Sequence, residues 1–262
     1  MTELPPLLAV SLKMYLGVAA TRAWVADVAD VGARLEPGAN IELAVLPTFP
    51  LLESTAKLLA GTGIRWGAQD VAATADGAQT GEVSAAVLAE LGCRYVELAH
   101  AERRLLFGED DADVQAKAAQ VVAAGMVPLY CVGETDHGSP ATAAHACLAQ
   151  LETLLAVSAG HEVVVAYEPG WAIGAAIPAP AEHVAEVCEQ LRVRLDSYPG
   201  PSRVLYGGSA GPGTYQKLRR AVDGLFLGRF AHDPCALAQV VTEVLTSTQS
   251  RNLSVTSSKE LL

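Results

Sequence analysis

The chain has 262 residues, 51% of them hydrophobic, with 18 Lys and Arg against 29 Asp and Glu and a net charge of −11. This acidic balance, with no basic patch against it, excludes a nucleic-acid surface. No apolar run reaches the ~18 residues of a membrane span, and Met1-Thr2-Glu3-Leu4-Pro5-Pro6 lacks the basic and apolar regions of a secretion leader, so the chain reads as cytoplasmic with no membrane partner.

Leu7–Lys13 alternates with the strand period of two: Leu8, Val10 and Leu12 share one face, Ser11 and Lys13 the other. Thr21–Leu35 follows as an Ala-rich amphipathic helix. The rhythm continues with strand Ile41–Leu46, helix Phe49–Ala60, strand Ile64–Gln69, helix Ser84–Leu91, strand Arg94–Ala99 and helix Ala101–Ala124. In the second half, strands Val127–Cys131, Val163–Glu168, Arg203–Tyr206 and Leu225–Gly228 alternate with helices Ala141–Ser158, Ala181–Asp196, Gly213–Ala221 and Pro234–Leu245.

Eight strand–helix units imply a parallel sheet, and their number implies closure into a TIM (β/α)8 barrel, for which about 250 residues is typical. An open doubly wound sheet is the structural alternative. One domain over residues 1–246 accounts for the pattern; residues 247–262 are too polar to offer a core face and read as a flexible tail. Cys93, Cys131, Cys147, Cys188 and Cys235 are odd in number and lack CxxC spacing, so neither a disulfide framework nor a metal site is expected.

In a parallel barrel the C-terminal strand ends carry the active site. Three of them carry residues suited to proton transfer. Glu168 ends the run Val163-Val164-Val165-Ala166-Tyr167, where Pro169 removes a donor and Gly170 frees the backbone, a place for a catalytic base under a closing loop. His100 stands between a strand and the helix start at Ala101, where the positive end of the helix dipole favours a neutral imidazole. Lys13 and Ser11 point together from the first strand. After strands seven and eight, Gly207-Gly208-Ser209 and Gly228-Arg229 suit an anion: glycine lets backbone N–H groups approach it, and Arg229 adds a charge.

Taken together, Glu97-Leu98-Ala99-His100-Ala101-Glu102-Arg103-Arg104, Ala166-Tyr167-Glu168-Pro169-Gly170-Trp171-Ala172-Ile173-Gly174 and Tyr206-Gly207-Gly208-Ser209 resemble the triosephosphate isomerase family over Leu7 to Leu245. The resemblance implies that Glu168 is the base, His100 the electrophile and Lys13 the cation beside the substrate, with Glu102 in support. It implies a cofactor-free homodimer acting on a small phosphorylated ketose or aldose, by default triose phosphate in glycolysis and gluconeogenesis, in which a loop such as Gln69–Glu82 buttresses the neighbour's site. Triosephosphate isomerases are an established case of a glutamate base facing a neutral histidine under a closing loop. Pro169–Pro180 is the lid candidate.

Four departures from the family pattern bear on the substrate. The family's Asn-Trp-Lys-Met-Asn is Ser11-Leu12-Lys13-Met14-Tyr15 here, which replaces an amide by a smaller hydroxyl and opens space beside the reacting carbons. Its Thr-Gly-Lys after Gly174 is Ala175-Ala176-Ile177, its Ser after the histidine is Ala101, and its Gly-Gly after strand eight is Gly228-Arg229. A four-carbon ketose phosphate is therefore the close alternative to triose phosphate. A noncatalytic sugar-phosphate sensor, and an aldolase using Lys13 as a Schiff base, rank below.

Overall fold

The computed structural model describes residues 4–36, 38–175 and 177–259, with side chains described as far as Thr248; Met1–Glu3, Ala176 of the lid and Glu260–Leu262 of the tail lie outside the described residues. Among these, parallel strands β1 Leu7–Ser11, β2 Glu42–Leu46, β3 Arg65–Ala68, β4 Tyr95–Leu98, β5 Val127–Val132, β6 Val163–Tyr167, β7 Ser202–Tyr206 and β8 Gly224–Leu227 pair in chain order. β8 returns to pair with β1, closing the TIM (β/α)8 barrel expected from the strand–helix rhythm.

Strand periodicity sorts the core into two layers. Leu7, Ala9, Leu46, Tyr95, Leu129, Val164, Ala166 and Leu205 form one cluster, inside the barrel. Their alternates Leu8, Val10, Val45, Val96, Tyr130, Val165 and Val204 pack with the helices in the other. Because both faces are buried, the strands read as continuous apolar runs rather than as alternating ones. Each large side chain so buried stabilises the fold by about 1.5–3 kcal/mol.

The helices are α1 Val18–Ala33, α2 Leu52–Leu59, α3 Ala85–Glu90, α4 Ala101–Phe107, α5 Asp111–Ala123, α6 Pro140–Ser158, α7 Ala181–Asp196, α8 Thr214–Leu218 and α9 Pro234–Lys259. The single helix expected over Ala101–Ala124 is two helices. Gly108 ends α4 in the left-handed region at φ 72°, and Asp110 opens α5 with a capping box completed by Asp113. β1 stops two residues short of the expected Lys13, which itself turns out of the strand at φ 47°. α9 runs past Leu245 into the segment read as a tail.

At the N-terminal end of the barrel, Arg203 is 2% exposed and its guanidinium donates to Glu42 at 2.8 Å, Glu162 at 2.6 Å and the Tyr95 hydroxyl at 2.7 Å. This charged plug closes the end opposite the candidate site. Four of the five cysteines are buried and Cys235 is exposed. Among the described residues no helix is long and apolar enough to cross a membrane, and no group of His, Cys, Asp or Glu has metal-binding geometry.

Candidate active site

The C-terminal strand ends surround a cavity of about 460 Å³ whose walls include Ser11, Lys13, His100, Glu102, Glu168, Gly174, Gly207, Ser209, Gly228 and Arg229. Every site residue expected from the sequence is in that wall except Gly208. A side chain on Gly208 would press on the Tyr206 hydroxyl at 2.8 Å and on Pro169 at 3.2 Å, so this glycine serves packing beneath the lid.

His100 caps α4. Its Nδ1 accepts the backbone N–H of Glu102 at 3.1 Å, which places the ring proton of the neutral imidazole on Nε2. That Nε2 lies 3.3 Å from Glu168 Oε2. Both atoms are buried without a hydrogen-bond partner among the described residues, so a donor and an acceptor stand side by side with bonding capacity left for a ligand. Glu168 follows directly on β6, its backbone N–H donating to the Val132 carbonyl at 2.8 Å.

Two glycines make room for that glutamate. A Cβ on Gly133 would sit 2.0 Å from the Glu168 carbonyl oxygen, and a Cβ on Gly207 would sit 2.6 Å from both its Cγ and its Oε1. The N–H of Gly207 is already given to the Tyr167 carbonyl at 2.9 Å. The expected use of this N–H toward an anion is therefore corrected: Gly207 supplies space for the carboxylate.

Lys13 Nζ donates to Glu102 Oε1 at 2.6 Å. Burial alone would lower the ammonium's pKa, but the hydrogen bond and the charge of Glu102, with Glu168 and Glu97 behind it, hold it above the usual lysine value. Lys13 is thus fixed as a cation at the cavity wall.

Sequence reasoning assigned no role to Glu97. It is 3% exposed on β4, and burial lifts its carboxyl to about 7, against the opposing effects of His100 and of the Ser11 hydrogen bond. Ser11 Oγ donates to Glu97 Oε2 at 2.7 Å. The Ser11 hydroxyl proton is therefore committed to Glu97, while the short side chain still leaves the space expected beside the reacting carbons. A glutamate inside an apolar strand was the available signal for Glu97.

The first part of the lid is docked. Trp171 Nε1 donates to Glu134 at 2.7 Å, Tyr167 donates to the same carboxylate at 3.1 Å, and Ser209 Oγ donates to the Ala172 carbonyl at 3.0 Å. The Ser209 hydroxyl is thus spent on the lid. Gln69 Nε2 donates to the carbonyls of Lys13 and Leu46 at 3.0 and 2.8 Å, so the start of the expected buttressing loop braces the site of its own chain.

Lys13, Ala99 and Ser209 have φ of 47°, 62° and 38°, a left-handed conformation costing about 1–2 kcal/mol per non-glycine residue. Such strain gathers where side-chain direction matters more than backbone comfort. The arrangement can move a proton between carbons: a carboxylate accepts it, an imidazole N–H polarises the adjacent oxygen, and an ammonium offsets negative charge.

The family model described as triosephosphate isomerase matches residues 6–244. The chain is 45% identical over 248 residues to the L-erythrulose-1-phosphate isomerase of Pectobacterium atrosepticum, covering 91% of this chain and 95% of the relative. It is 43% identical over 201 residues to the triosephosphate isomerase of Bordetella pertussis, covering 75% and 79%. The triosephosphate isomerase of Thermus thermophilus is 39% identical over 233 residues, covering 85% and 92%.

Proposed function

The chain belongs to the triosephosphate isomerase family and is a sugar-phosphate isomerase, and from that premise we propose that its substrate is a four-carbon ketose phosphate, in effect dihydroxyacetone phosphate extended by one hydroxymethyl group. In this reading Glu168 removes the proton from the carbon beside the carbonyl and returns it to the neighbouring carbon. His100 donates from Nε2 to the enediolate oxygens. Lys13, held by Glu102, offsets their charge, while the backbone at Ser209 and the loop at Gly228-Arg229 receive the phosphate. The single observation that carries the chemistry is the unpartnered pair His100 Nε2 and Glu168 Oε2, 3.3 Å apart.

Triose phosphate, the default expectation from the motifs, gives way to the four-carbon reading. The relative that spans nearly the whole chain at the higher identity bears an erythrulose phosphate name. The substitution at Ser11 also supports a larger ligand, because it shortens a side chain in the cavity wall next to Glu97. An aldolase reading is disfavoured by Lys13, whose raised pKa keeps it an ammonium when a Schiff base needs a free amine.

We also assign the chain to the cytoplasm and to a homodimer. Met14, Leu105, Leu106 and Phe107 are all more than two-thirds exposed around the site-bearing loops, apolar surface that a second copy would cover. The test of function is kcat/KM for a tetrulose phosphate against dihydroxyacetone phosphate. A ratio strongly favouring the triose substrate would overturn the four-carbon reading.

A further inference from the structure

We infer that Arg229 and Tyr15 form a clasp at the mouth of the cavity that grips the dianionic phosphate of the substrate, with Tyr15 as the positioning residue. The inference rests on the sugar-phosphate reading above and adds a residue that it does not use. Arg229 opens the short turn Arg229–His232 directly after β8. Its guanidinium carbon lies 5.7 Å from the Tyr15 ring centroid, and that ring is backed by His232 at 5.5 Å. On the other side is the lid: a Cβ on Gly174 would lie 3.6 Å from Arg229 Nη2. Gly174 has φ 69°, where a side chain would be strained, and the 3.6 Å distance is ordinary van der Waals contact. The guanidinium is thus bracketed by an aromatic face and a lid glycine, and Arg229, Tyr15 and Gly174 all line the same cavity.

How the guanidinium is held decides what it can bind. Arg203, at the far end of the barrel, spends its donors on Glu42, Glu162 and Tyr95. Arg229 is held over the Tyr15 ring, a cation–π contact that consumes none of its N–H groups. Among the described residues it has no carboxylate within ion-pair distance, whereas Lys13, another cation of the cavity wall, is taken by Glu102. A fork of free donors matches the oxygens of a phosphate monoester, with two parallel hydrogen bonds. Tyr15 determines whether the fork faces the cavity or swings into solvent.

Inorganic phosphate binding to the full chain, measured by calorimetry, tests this without turnover. Arg229→Gln, or Arg229→Gly should Gln misfold, is expected to weaken binding about tenfold, the scale of one exposed charge-assisted hydrogen bond. Tyr15→Leu should weaken it about two- to fivefold, as loss of an exposed cation–π contact would, and Tyr15→Phe should restore parental affinity. In an Arg229→Gln background, Tyr15→Leu should cost nothing further. Affinity within twofold of the parent for the Arg229 variants, or an equal Tyr15→Leu loss in both backgrounds, overturns the clasp. Because the probe is phosphate alone, these outcomes are independent of tetrulose turnover: absence of that turnover would remove the substrate reading and leave this one standing.

Discussion

His100 Nε2 and Glu168 Oε2 face each other at 3.3 Å across the top of the barrel, and neither has another hydrogen-bond partner among the described residues. A buried donor and acceptor left open in this way are costly unless a ligand completes them. Glu168→Gln keeps the volume and removes the proton acceptor. Its expected outcome is a fall in kcat of roughly 10²–10⁴, the scale of general-base catalysis, with phosphate affinity kept. Steady-state kinetics and calorimetry check it, and turnover within a few-fold of the parent would remove Glu168 from the base role.

Gly207 tests whether the position of that carboxylate matters as much as its identity. An added Cβ meets Glu168 Cγ and Oε1 at 2.6 Å, and these are movable atoms, so the strain falls on the glutamate rather than on the fold. Gly207→Ala is expected to cost about 10²-fold in kcat, the usual result of displacing a reacting group by about 1 Å. The melting temperature should change little. Parental kcat would mean that Glu168 relaxes without penalty.

Glu97 gives a pH signature. Its folded carboxyl titrates at about 7 because it is buried, whereas an unfolded glutamate titrates near ~4.3. Between those values the folded chain holds a proton that the unfolded chain has released, so this group makes stability decline as pH rises through that window. Glu97→Gln removes the slope. The stability difference between variant and parent should shift toward the variant between pH 5 and pH 8, by on the order of 3 kcal/mol at most. Urea unfolding at both pH values measures it, and a difference independent of pH would contradict the burial argument.

The barrel, and the placement of Lys13, His100 and Glu168 around one cavity at its C-terminal end, were legible because both follow from local pattern. Buried strands read as short apolar runs, and Lys13, His100 and Glu168 each stand just past the end of one. What was not legible depends on partners far apart in sequence. Nothing around Gly207 tells whether its glycine serves an anion or the Glu168 side chain 39 positions earlier. Glu97 takes its character from burial and from Ser11, 86 residues away. The α4–α5 break was available in Gly108 and in Asp110 with Asp113, but the Ala-rich helical rhythm on both sides masked it.

Arg203 separates stability from function. With 2% exposure and two carboxylate partners it cannot be removed without taking the shared cation from the part-buried Glu42 and Glu162, of which Glu162 keeps Arg94. Breaking a fully buried pair from one side costs about 3–5 kcal/mol, and the residual exposure of both carboxylates together with Arg94 beside Glu162 brings the cost here below that. Arg203→Met should therefore lower the melting temperature clearly while leaving kcat near parental well below the transition, because the plug lies at the opposite end of the barrel. Equal losses of kcat and stability would tie the two ends together.

Ser11 determines whether the cavity was enlarged for a fourth carbon. Its hydroxyl donates to Glu97 at 2.7 Å, and an asparagine amide could donate to the same oxygen, so Ser11→Asn need not break the contact. What the amide adds is bulk in the cavity wall, about that of the hydroxymethyl group distinguishing a tetrulose from a triose phosphate. Overpacking penalises the larger ligand first, by about 1–3 kcal/mol where the neighbours cannot yield. Here they yield little, since Leu12 and Glu97 are buried. Ser11→Asn is therefore expected to lower kcat/KM on the tetrulose phosphate by about tenfold or more and to spare or improve it on dihydroxyacetone phosphate. Measuring both substrates on both proteins decides it: equal losses on the two would mean that the change disturbs Glu97 instead, and no tetrulose activity in the parent would mean that the space at Ser11 has another use.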